Sequence, residues 1–293
     1  MKKKGNNIFK VEKENELMKF LIEKMPDKNR NNIKSLLKNK QVLVDKIPIS
    51  QFNHILEPGQ VVTISEARLD SKEMKGIKVV YEDEYLIAVE KESGLLSIAT
   101  DKERDKTAYN IVKKYVKAIN PNEKLFIVHR LDRETSGVMI FAKTEEIQQI
   151  LQTNWQHIVL ERTYVAVVEG KVEKDSDTII SYLKENSAFV TFSSEKEIEG
   201  SKKAITHYKV LKRSRGFSLV EAKIETGRKN QIRVHMQSLG HSVVGDKKYG
   251  ATTNPLGRLG LHAKSIVFKH PKTGKILSFQ TGIPLKFMSM FKK

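Results

Sequence analysis

The sequence predicts a mixed α+β protein in two parts: a small N-terminal unit of helices and short strands, and a larger domain in which strands outnumber helices. Two patterns lead there. Apolar residues recur at helical spacing in residues 15–21 and 29–37 and again in TEEIQQILQTNWQHI. Three later segments each contain a pair of strand-like runs separated by polar or glycine-containing turns.

In chain order, Leu17, Phe20 and Leu21 mark a first short helix, and Ile33, Leu36 and Leu37 mark a second, with Pro26 and Asp27 breaking the chain between them. The stretch QVLVDKIPISQFNHILEPGQVVTI then alternates apolar and polar residues. It turns at Asp45 and Lys46 and again at Pro58 and Gly59, so a small α/β unit closes near residue 65. Residues 66–76, EARLDSKEMKG, are charged and aperiodic and read as a linker. Residues 77–293 form the second domain. Its strand pairs are VVYEDEYLIAVEKESG, LFIVHRLDRETSGVMIFAKT and HYKVLKRSRGFSLVEAKIETG, and residues 195–203 are polar enough to predict a mobile surface loop. In QIRVHMQSLG the residues Ile232, His235, Met236 and Leu239 share one helical face, and Gly240 ends the helix.

Charge points to the partner. Among 293 residues, 53 Lys and Arg stand against 35 Asp and Glu, a formal net charge of +18, and the pI is about 9.7. Such a chain gains affinity for a polyanion by releasing counterions from phosphates, although a lysine-rich soluble surface would give the same balance. There is no cysteine, which removes disulfides, thiolate zinc sites and cysteine nucleophiles together. The basic start is not followed by an apolar signal core, and runs such as VMIFA are too short to cross a bilayer, so a cytoplasmic location is expected. The histidines show no HExxH spacing, and no GxGxxG or Walker-type loop is present. Neither a metal nor a nucleotide cofactor is therefore expected. Nothing in the sequence demands more than a monomer.

The segment with most chemistry is HRLDRETSGVMIFAK, in which a strand ends in a polar loop and a second strand is expected from Val138. Asp132 lies between Arg130 and Arg133. Flanking guanidinium groups favour a carboxylate over a carboxyl, and a carboxylate can act as base or nucleophile. On local charge alone a surface ion pair is the commoner explanation.

The complete string resembles the HRLDxxTSG…AK motif of the RluA family of pseudouridine synthases. The resemblance implies that Asp132 is the catalytic aspartate, that Arg130 enters the space left by an extruded base, and that Arg133, Thr135 and Ser136 shape the RNA-binding loop. It extends to ERTYVAVVEG, where Tyr164 would border the target base. Strand alternation alone puts Tyr164 on one face with Ala166 and Val168 and makes it a core aromatic. It extends also to GRKNQIRVH, where Arg233 would pair with the aspartate and Arg228, Gln231 and Ile232 would line the RNA site. Asn230 stands where the family usually has histidine, and EKESGLL lacks the proline common in the family's first motif. Residues 1–65 resemble the alpha-L RNA-binding module of a ribosomal small-subunit protein; they hold 13 Lys and Arg against 7 Asp and Glu. Arg30, which opens the second helix, would there meet RNA. By these resemblances the larger domain is a mixed, mainly antiparallel sheet with flanking helices. Its expected activity is isomerisation of uridines in structured ribosomal or transfer RNA, without cofactor. A non-catalytic RNA-binding factor that keeps the fold, and an RNA N-glycosidase, are the rival readings. Attack of Asp132 at C1′, attack at uracil C6 and proton removal from C2′ all remain open as mechanisms.

Overall fold

The computed structural model describes residues 7–38, 41–45, 47–65, 74–101 and 103–291. The expected linker lies outside the described residues as far as position 73, and so does Lys46 of the first expected turn.

The N-terminal unit runs β1 (Asn7–Lys10), β2 (Asn15–Glu16), α1 (Leu17–Lys24), α2 (Arg30–Lys38), β3 (Val42–Val44), β4 (Ile47–Pro48), β5 (Ile55–Leu56) and β6 (Val61–Ile64). Four strands pair in the order β1-β6-β3-β4, and β2 pairs with β5. Both helices form where the apolar spacing places them, and their buried residues Leu17, Leu21, Ile33 and Leu37 pack on Val42, Val44, Val62 and Ile64. Two strands that the spacing did not reveal precede and abut α1. Asp45 takes a positive φ at the first turn, and its Oδ1 accepts the Val61 N–H at 2.8 Å. The outer side of α2 carries Arg30, Lys34 and Lys38, all exposed and spaced four residues apart on one stripe.

The larger domain is built on one eleven-stranded sheet. Its strands are β7 (Ile77–Glu82), β8 (Leu86–Lys91), β9 (Phe126–Ile127), β10 (Ser136–Ala142), β11 (Val159–Glu169), β12 (Ser176–Glu185), β13 (Thr191–Ser194), β14 (Lys202–Arg213), β15 (Phe217–Ile224), β16 (Leu261–Lys269) and β17 (Ile276–Gln280). The main path is β13-β12-β14-β15-β11-β16-β10-β8-β7. The expected hairpins β7–β8 and β14–β15 form, and every pairing among the described strands of this sheet is antiparallel except β10 with β16. Strand β14 begins at Lys202, so the polar loop is shorter than expected by two residues. Strand β10 begins at Ser136, two residues before Val138, because Ser136 and Gly137 pair with His262 and Ala263 across that parallel junction.

Both faces of the sheet are covered, as the alternation along β11 shows. Tyr164, Ala166 and Val168 face a front core that they share with Val220, Ala222, Ile232 and Met236. Val165 and Val167 face a back core with Leu219, Val244 and Phe287. Four helices matter to these cores: α3 (Ala108–Ile119), α4 (Glu145–Thr153), α6 (Gln231–Ser238) and α7 (Leu285–Ser289); the short α5 (Trp155–Ile158) follows α4. Helix α3 is not among the elements expected above. It starts where the Thr107 side chain accepts the Asn110 N–H, and it buries Ala108, Val112, Tyr115, Val116 and Ile119 on the front face. Helix α4 starts in the same way at Thr144. No helix among the described residues is long and apolar enough to cross a membrane.

Candidate active site

A cleft of about 570 Å³ opens on the front face between the loop before β10, strand β11 and the start of α6. Leu131, Tyr164, Ile224, Ile232 and Leu261 supply its apolar surface, while Arg130, Asp132, Arg162, Arg228, Lys229 and Arg233 supply its charge. Asp132 is the only carboxylate among the described residues that line it.

The loop bearing Asp132 is fixed from behind by residues 91–97. Lys91 is fully buried, and its Nζ donates to the carbonyls of Glu92 (2.9 Å), Leu95 (2.8 Å) and Arg133 (3.1 Å). Burial lowers its pKa to about 8, while the nearby charges of Glu134 and Asp132 help to retain the proton. Ser97 adds two bonds to the backbone of Leu131, at 2.6 and 3.1 Å. The segment that lacks the family's proline is thus held by these hydrogen bonds.

Arg233 projects from the first turn of α6 toward Asp132, with Nη1 3.5 Å from Oδ2. At that distance the contact is an ion pair without a good hydrogen bond. The strong partner is Asp246: Arg233 Nε donates to its Oδ2 at 2.6 Å and Nη2 to its Oδ1 at 2.7 Å. The Asn230 side chain accepts from Nη1 at 2.8 Å, and the Tyr249 ring centroid lies 4.8 Å from the guanidinium carbon. Burial opposes the Arg233 charge, but Asp246 and then Asp132 outweigh it and raise the pKa. Asn230 sits at φ 56, a left-handed conformation that asparagine tolerates better than most residues, and its Nδ2 donates to the Tyr249 hydroxyl at 2.9 Å. The departure from histidine therefore leaves position 230 as a brace for Arg233.

Tyr164 lines the cleft and also packs into both front clusters, so the core-aromatic reading and the base-bordering reading describe two sides of one ring. Burial raises its pKa, Arg162 opposes the rise and Asp132 adds to it. A neutral phenol at pH 7 follows. His129, against Trp155 with ring centroids 5.0 Å apart, accepts the Ile140 N–H through Nε2 at 3.0 Å. Burial and then Arg162 depress it to about pKa 4, so it too is neutral.

The structure sorts the remaining residues. Arg130 is exposed at the cleft and Thr135 is a buried part of its wall. Arg228 and Ile232 line it as well. Gln231 lines it with a side chain already committed: Oε1 accepts from Thr226 Oγ1 and the Arg228 N–H, while Nε2 donates to the Ile205 carbonyl and Thr206 Oγ1. Its place is that of a staple between α6 and β14. Arg133 lies outside the cleft, exposed, donating through Nε to the Gly94 carbonyl at 3.2 Å. Ser136 also lies outside, buried beneath the loop, where it meets His262 Nδ1 at 2.7 Å and accepts from Arg258 at 2.8 Å. Burial, and then the Arg258 charge, hold His262 near pKa 4. Arg30 is in the N-terminal unit, exposed on α2. Sequence reasoning missed Asp246 and Arg162. Asp246 carries no local signal, and for Arg162 the one hint is its place two residues before Tyr164, on the same strand face.

Known proteins resemble this chain over most of its length. The profile described as RNA pseudouridylate synthase matches residues 85–238. The uncharacterized RNA pseudouridine synthase YlyB of Bacillus subtilis (strain 168) is 31% identical over 93% of this chain and 92% of its own length. Ribosomal large subunit pseudouridine synthase D of Neisseria meningitidis (serogroup A, strain Z2491) is 34% identical over 89% of this chain and 73% of its own. Human RNA pseudouridylate synthase domain containing 4 shares the fold, with a TM-score of 0.60 at 22% identity over 74% of this chain and 92% of its own. A likeness that runs through the strand, loop and helix framing Asp132 and continues over nearly the whole length of a relative has one reading: the chain belongs to the RNA pseudouridylate synthase family, the enzymes that isomerise uridine in RNA.

Proposed function

We propose that Asp132 is the catalytic carboxylate with which this chain converts selected uridines of ribosomal or transfer RNA to pseudouridine. The observation that carries the assignment is chemical economy: among the described lining residues the cleft holds one carboxylate, and Arg233 stands against it. In the reaction the N1–C1′ bond breaks, the uracil turns, C5 bonds to C1′, and the C5 proton departs while N1 regains one. No atom is gained or lost, so no co-reactant is required. A uracil reaches such a cleft only after eversion from its stack, which costs roughly a few kcal/mol and less for an unpaired base. Loops and bulges are therefore the favoured targets.

Arg233, itself fixed by Asp246, holds Asp132 toward the opening. Tyr164 as a neutral phenol offers the base a ring face and an O–H rather than a strong base. Arg130 fills the gap left by the everted base, a role supported by its exposure on the lining of the cleft. In this reading the protein is a monomer acting in the cytoplasm, and the basic unit before residue 66 holds the RNA through its phosphates. Asp132→Asn is expected to abolish tritium release from RNA labelled at uridine C5, with RNA binding largely retained. Turnover by that variant would refute the assignment. Free uracil among the wild-type products would instead mark a glycosidase.

A further inference from the structure

The mechanism above leaves Arg162 without a task. It lies on β11 two residues before Tyr164 and lines the same cleft. Its Nη2 donates to the Glu225 carbonyl at 2.8 Å. Its Nη1 fills the space that a side chain at position 227 would need, since a Cβ on Gly227 would sit 2.6 Å from it. A second guanidinium, Arg228, comes close enough to disfavour the charge on Arg162, on top of a larger penalty from burial. Arg228 is also tied only to the backbone, with Nε donating to the Lys203 carbonyl at 3.0 Å. Among the described residues no carboxylate pairs with either arginine.

The neighbours cannot offset this charge. Tyr164 is a neutral phenol, His129 a neutral imidazole, and Asp132 stands against Arg233 and not against Arg162. Two like charges, one of them half-buried and desolvated, are held together at a cost that only an arriving anion removes. Uracil and ribose are uncharged. The anionic part of the substrate is its phosphodiester, one on each side of the everted nucleotide.

We propose that Arg162 and Arg228 form a phosphodiester clamp that grips a phosphate adjoining the target uridine, with Gly227 left bare so that the Arg162 fork can reach it. The inference rests on the reading of the cleft as a uridine isomerase. It adds a binding site for the sugar-phosphate chain beside the site for the base. Arg162 touches the substrate but takes no part in the bond changes.

The test uses the full-length enzyme and a short RNA hairpin containing a uridine that the wild-type protein has been shown to convert. That prior turnover reads the isomerase activity by itself, so the clamp and the reaction are judged separately. Two further hairpins carry a neutral methylphosphonate in place of the phosphate 5′ or 3′ to that uridine. One of them is expected to lower wild-type kcat/KM by about tenfold to a hundredfold, the range of a charge-assisted hydrogen bond. Arg162→Gln should fall by a similar factor on the native hairpin and no further on the affected methylphosphonate, because one interaction cannot be removed twice. Arg162→Lys, which keeps the charge without the fork, should fall between. The proposal is overturned if wild-type enzyme tolerates both methylphosphonates, or if the two effects multiply in Arg162→Gln. Multiplication would leave Arg162 as a structural prop for the loop at Glu225.

Discussion

Arg233 makes its shortest contacts with Asp246 and Asn230, away from Asp132. Its two bonds to Asp246 are 2.6 and 2.7 Å, whereas its approach to Asp132 is 3.5 Å. Asp246 is nearly inaccessible, and Asp132 is about one-third exposed. The inner carboxylate thus anchors the guanidinium and leaves the outer one free to meet a substrate. Asp246→Asn should remove the charge of the anchor while keeping its shape. We expect kcat to fall roughly tenfold to a hundredfold with KM for RNA little changed, because the damage is to orientation and not to RNA binding. A rise in KM at constant kcat would instead place Asp246 in RNA binding. At this scale the sequence showed Asp132 and Arg233, which stand inside recognisable strings. It concealed Asp246, whose importance comes from a fold-dependent approach to a helix thirteen residues earlier. It also concealed Arg162, since a strand residue's burial depends on its neighbours across the sheet.

Strands β10 and β16 meet at a point where no side chain fits. Gly137 has φ +120, and a Cβ there would lie 2.1 Å from the Ala263 carbonyl oxygen. Gly94, in the segment that braces the aspartate loop, also has a positive φ, +86, but a Cβ there would meet nothing within 4 Å. Gly137→Ala must therefore push two strands apart and is expected to cost about 3 kcal/mol or more, whereas Gly94→Ala bears only backbone strain of about 1 kcal/mol. Urea unfolding of the two variants side by side measures the difference; equal costs would mean that the parallel junction yields easily. The hairpins of this domain were legible because their alternation and turns are local. The start of β10 was not. Ser136 and Gly137 have poor strand character and join the sheet through strands remote in sequence, Ser136 through β16 and Gly137 through β16 and β8. Helix α3 also escaped notice, although its buried residues follow helical spacing and Thr107 caps it.

Over the molecule as a whole, positive charge lines the cleft and also the outer stripe of α2. The cleft selects by shape and by its single carboxylate, while Arg30, Lys34 and Lys38 can act on phosphates without regard to base. Replacing all three by glutamine should reduce the slope of log affinity against log salt by up to about 2, at roughly 0.7 for each phosphate that is no longer neutralised. Turnover at saturating RNA should remain. An unaltered slope would remove the N-terminal unit from the RNA path. Charge suggested a polyanion partner but would also fit a lysine-rich soluble surface, and it was the motif resemblance that pointed to RNA. Sheet order was not legible, because alternation shows that a strand has an inner face without naming the strand beside it.

The pairing of Ser136 with His262 spans 126 positions. A ribosome making this chain delivers the aspartate loop long before the strand that holds it from the other side. Until that late strand arrives, Ser136 lacks its imidazole partner and Gly137 has only Lys91 of β8 beside it. The second brace of the aspartate loop is thus among the last parts of the sheet to be synthesised.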